Sequence, residues 1–178
     1  MIELAALLWA TALFFGAVGY MRGVSKELIA LAGIILGLFA LFQFDNVLRG
    51  VLLATVEPVT RFYVQSIIFL LIVFFAYQTR ALARHIGGSD GRDPLQSTVL
   101  GALVGFLNGY MIFGSLWYFM DINQYPLNPF IAPPAAGTSS AQLVSSLPLY
   151  LLAGGPAGDG NLLSLAMILL FIIVLIVI

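Results

Sequence analysis

The sequence predicts an all-α fold, a polytopic bundle of four or five membrane-spanning helices with one short interfacial helix. Three observations carry this. Of 178 residues, 61% are hydrophobic and 8% are charged, whereas soluble domains run at roughly 45–50% and about 25%. Apolar stretches recur at close to the roughly 20 residues a helix needs to cross about 30 Å of hydrocarbon. Backbone groups in lipid must be satisfied within their own segment, which makes such stretches helices.

Each span can be placed in order. The first covers residues 2–20 and is followed by Arg22, Gly23, Lys26 and Glu27. It reads as an uncleaved span rather than a signal peptide, because Glu3 stands where a basic segment would be needed. The second covers residues 28–43. Residues 44–61 mix Asp45, Arg49, Glu57 and Pro58 with apolar side chains and predict the short interfacial helix, ended by Pro58. The third span covers residues 62–77. It leads into Arg80, Arg84, His85 and a glycine-rich turn at residues 87–91. The fourth covers residues 97–120. These four make a membrane domain over residues 1–120. Residues 121–161 form a Pro/Gly/Ala-rich extracytoplasmic segment without Lys or Arg, and order there would imply a partner that holds it. A possible fifth span, residues 162–178, would reach only about 25 Å at the helical rise.

Charge sets orientation and excludes several functions. Arg22, Lys26, Arg80, Arg84 and Arg92 flank the first and third loops, against Arg49 and Arg61 in the second. This bias places the first and third loops in the cytoplasm and the N-terminus outside. A net charge of −1 leaves no basic surface for nucleic acid. With no cysteine and His85 as the lone histidine, thiolate metal sites and most histidine sites are excluded. No metalloprotease, nucleophile-elbow or phosphate-loop motif occurs. The chain reads as a non-enzyme with no metal and no dedicated cofactor. Membrane lipids are its expected ligands.

The polar residues inside this apolar frame are the candidate site. Gly19 with Gly23, Gly33 with Gly37, and the triple step Gly101, Gly105, Gly109 are spaced four apart. Such faces let helix backbones approach closely in lipid, where hydrophobicity alone drives no association. They serve packing within the chain, self-association, or contact with other membrane proteins. Arg22, Lys26, Glu27, Arg80 and Arg84 read as headgroup-level charges. Glu27 also suits the positive end of the second helix. Gln65 and Asn108 read as intramembrane amides that hydrogen-bond across helices. The spans carry no central ionisable residue, which argues against ion-coupled pumping.

The run Gly19-Tyr20-Met21-Arg22-Gly23-Val24-Ser25-Lys26-Glu27-Leu28, with Gly33, Gly37 and the ladder Leu100, Gly101, Gly105 and Gly109, resembles the CvpA (colicin V production protein) family over residues 12–117. That family ends its first span in Gly-x-x-Arg-Gly-x-x-Arg/Lys-Glu-Leu. Where its members often carry a basic residue before the last ladder glycine, this chain has Asn108. The resemblance implies a small protein of the bacterial inner membrane, a scaffold or small pore linked to colicin V production or envelope homeostasis. A second reading fits the same composition. It is an accessory subunit of a photosynthetic or respiratory complex, packing against partner helices, quinone or pigment.

Overall fold

A computed structural model describes residues 3–78 and 94–177. Four helices are long and apolar enough to cross a membrane: α1 (Leu4–Arg22), α2 (Val24–Gln43), α4 (Pro58–Tyr77) and α5 (Pro94–Ile122). Between α2 and α4 lies α3 (Asp45–Val47), continued by a π-helical turn at Leu48–Leu52. After α5 come α6 (Ser139–Leu143), a 3-10 turn at Val144–Ser146, α7 (Pro148–Ala153) and α8 (Asn161–Val177). No strand occurs among the described residues.

The boundaries have local causes. Gly23 alone separates α1 from α2. Its φ of 81° and ψ of 162° fall in a region that glycine can occupy and side chains cannot. Pro58 does not end the interfacial helix as the sequence suggested. It stands in the first turn of α4, where its missing N–H costs nothing and its fixed φ already suits a helix. The short helical piece therefore stops at Leu52, with Phe44, Val51 and Leu52 exposed.

α1 and α2 run antiparallel about Gly23. The C-terminus of α4 and the N-terminal part of α5 join that same end of the bundle. Tyr77 is bonded to residues flanking Gly23, and Gly101 packs on Gly19 and Gly23. We call this the turn end. At the other, capped end lie Leu4, Gln43, Pro58 and Ile122. The core between them is close-packed, with Leu8, Ile34, Leu38, Phe69 and Trp117 inaccessible.

Residues 121–161 fold back onto the capped end and make contacts with this chain's own residues. Ser140 Oγ accepts from the Ala5 N–H at 3.1 Å. Tyr110 donates its hydroxyl to the Ser146 carbonyl, and Tyr150 donates to Asp121 Oδ2 at 2.6 Å. Leu147, Pro148 and Leu149 are buried, Pro148 against Gly114. Burial, and then the Asp121 carboxylate, push the Tyr150 hydroxyl above its ordinary range. The fifth apolar stretch is helical but, at 17 residues, shorter than the four spans. Gly160 sits against the Phe42 ring, so α8 starts at the capped end and returns along α2.

A buried ion pair and a glycine seam

Two features concentrate the sequence's polar and small residues. The first is a seam in which α1 and α5 touch backbone to backbone. A Cβ built on Gly19 would lie 2.1 Å from the Gly101 carbonyl oxygen, and one on Gly105 would lie 2.3 Å from that of Phe15. One on Gly101 would lie 2.5 Å from Gly19 O, and one on Gly109 2.6 Å from Thr11 O. Gly33 and Gly37 allow close approach of α2 and α4 in another way, by receiving the side chains of Ala76 and Ile72. Gly16 differs, because its Cβ would meet Ala102 O at 3.4 Å, an ordinary contact. Gly16→Ala is therefore expected to be tolerated. It should stabilise by up to about 1 kcal/mol through helix propensity, read as an unchanged or raised thermal midpoint in detergent.

The second feature is a polar knot at the turn end. Glu27 has no accessible surface. Its Oε1 accepts from Arg22 Nη1 at 2.5 Å, and its Oε2 accepts from Asn108 Nδ2 at 2.7 Å and from the Tyr77 hydroxyl at 3.2 Å. Asn108 Nδ2 also donates to the Glu27 carbonyl at 3.1 Å. Arg22 Nη2 reaches the Tyr77 carbonyl at 3.3 Å, and the guanidinium lies 4.4 Å from the Tyr77 ring centroid. The placement follows from helix electrostatics. Arg22 stands at the negative C-terminal ends of α1 and α4, and Glu27 stands at the positive N-terminus of α2. One ion pair thus joins three helices, and Asn108 adds the fourth.

Glu27, expected at headgroup level, is enclosed by protein at the turn end. The cause is register: Glu27 shares its helix face with the buried Ala30, Leu31, Ile34, Leu38 and Leu41. Three- and four-residue steps turn all of them inward. Lys26 is exposed one position earlier. Arg80 and Arg84 lie outside the described residues. Asn108 Oδ1 is buried without a hydrogen-bond partner, so this amide acts as a donor. Asn108→Ala should cost about 1–3 kcal/mol. Asn108→Asp should cost more, because it sets a second carboxylate beside Glu27. Thermal midpoints of the two variants check the order.

Gln65 belongs to a separate network at the capped end. Its Oε1 accepts from Asn123 Nδ2 at 2.8 Å, and its Nε2 lies 3.5 Å from Asp45 Oδ1. Asp45 in turn holds Arg49 by two bonds of 2.7 and 2.6 Å. These bonds raise the Arg49 pKa against the opposing effect of burial. Gln65 and Asn108 stand out in the sequence as polar residues within apolar spans, whereas Tyr77, Asn123 and the Asp45–Arg49 pair do not. The four-residue spacing of Asp45 and Arg49 could have indicated the last.

A family model described as colicin V production protein matches residues 4–145. This is wider than the stretch that carries the resemblance and extends into the segment that caps the bundle. Comparison with curated proteins and with solved structures finds no match. The glycine seam, the Arg22–Glu27 turn and most of the capping segment all lie inside the matched region, and the chain belongs to the colicin V production protein family.

Proposed function

We propose that this protein is a non-enzymatic scaffold of the bacterial inner membrane that supports colicin V production or envelope homeostasis. The carrying observation is the closed core. The knot at Glu27 and the network at Gln65 are separated by the inaccessible side chains of Ile34, Leu38 and Phe69. Among the described residues this packing leaves no continuous polar path between the two networks, which favours a scaffold over a pore. Orientation follows from the Lys/Arg bias. The turn end bears Arg22 and Lys26 and precedes Arg80, Arg84 and Arg92 in the chain. It faces the cytoplasm, which puts Leu4 and the capping segment outside.

Two measurements test this. Liposomes containing the purified chain should pass no ions, and ion flux would establish the pore instead. In a colicin V-producing bacterium lacking its own family member, the chain should restore toxin release. Native mass spectrometry that recovered the chain in a complex with redox or pigment-bearing subunits would replace the scaffold by the accessory-subunit reading.

A further inference from the structure

Because α1 and α5 meet at their backbones, their outward sides leave a valley. Ala17 and Ala102 contribute small surfaces to it, and Leu13, Tyr20, Leu103 and Phe106 supply its bulk. The groove measures about 610 Å³, and its lining is almost wholly apolar. It lies within two membrane-spanning helices, so its occupant is hydrocarbon or another apolar helix.

Length and charge distinguish these. Beyond Phe106 the groove meets Trp9, whose ring stacks on Phe106 at 6.1 Å and on Tyr110 at 6.3 Å. From Tyr20 at the turn end to Trp9 is eleven residues, about 16 Å of helix. Half the thickness of a hydrocarbon core is about 15 Å. The lining itself runs from Leu13 to Met21, about 12 Å of helix, and the aromatic stack beside Phe106 extends it to a length comparable to one leaflet's acyl chain. At the turn end the groove is lined by Tyr20 and Met21, and the nearest exposed cation along the chain is Lys26, five residues after Met21. The Glu27 carboxylate is sequestered by Arg22, while Lys26 in the first turn of α2 is exposed.

We propose that this groove binds one acyl chain of an anionic phospholipid from the leaflet at the turn end, with Lys26 attracting the headgroup. The probe is a bilayer of equal phosphatidylglycerol and phosphatidylethanolamine. The reconstituted chain is extracted from it in mild detergent and read by native mass spectrometry. The parent chain should retain phosphatidylglycerol in preference to phosphatidylethanolamine. Ala17→Trp, which fills the groove, should lower retained lipid roughly tenfold with an unchanged thermal midpoint. Lys26→Gln should keep the lipid but abolish the headgroup preference. Should Ala17→Trp fail to fold, Leu13→Trp makes the same test, since Leu13 is 66% exposed. Lipid retention by a folded groove-filling variant equal to the parent's overturns the site. A parent chain without headgroup preference overturns the anionic assignment. The chain has no cysteine of its own, so efficient disulfide dimerisation of Ala17→Cys in the bilayer would give the groove to a second copy and overturn the proposal.

Discussion

Replacing Gly105 with leucine should separate α1 from α5 and abolish the folded bundle. A single added carbon at this position would lie 2.3 Å from the Phe15 carbonyl oxygen and 2.9 Å from the Gly19 Cα. Both are backbone atoms, so no rotamer change relieves the contact. Overpacking in a core that can adjust costs about 1–3 kcal/mol. Here the helices must part, and the loss should exceed about 4 kcal/mol, at the extreme of single-residue effects. That is comparable to the whole stability of many domains. Val104→Leu, one position earlier on a half-buried site, should cost less than about 1.5 kcal/mol. Thermal denaturation in detergent with size-exclusion profiles would measure both. A Gly105→Leu protein as stable as Val104→Leu would refute the seam.

Glu27→Ala should be the other severe change, costing about 3–5 kcal/mol. The penalty is the cation left behind more than the attraction lost. Arg22 would keep the Tyr77 carbonyl and ring but no anion, and Asn108 would lose an acceptor within the bilayer. If that is the cause, removing both charges together as Arg22→Met with Glu27→Leu should recover much of the loss, as apolar replacements of buried ion pairs do elsewhere. A double-mutant cycle reads this as a large departure from additivity. Additive losses would mean that the two side chains act separately.

The sequence made the helices legible because lipid imposes one rule on every residue of a span. Length and apolarity alone placed α1, α2, α4 and α5 to within a few residues. The glycines were legible for a related reason, since a four-residue repeat of the smallest side chain marks a helix face. Which faces meet was not legible. Gly19 packs on Gly101 and Gly105 rather than on its neighbour α2, and nothing local to residues 19–23 encodes that choice. The position of Glu27 along its helix marks an interfacial charge, and only its angular register shows that protein encloses it. Burial of a carboxylate also depends on three partners, Arg22, Tyr77 and Asn108, the farthest of them 81 residues away. The capping segment looked like an excursion because proline and glycine interrupt its helices. Its anchors, Ser140 on Ala5 and Tyr150 on Asp121, are single polar contacts that leave no periodic trace.

The seam also bears on biogenesis. α1 finds its principal partner in α5, which is made later, whereas its contact with α2 is slight. Gly101 follows Gly19 by 82 residues, and translation at about 5–20 residues per second separates them by roughly 4–16 seconds. For that interval the nascent α1 presents an unmatched glycine face to the bilayer and to whatever insertion factor stands beside it. Slowing elongation between codons 30 and 100 should lengthen the interval and increase cross-linking of α1 to the insertion machinery.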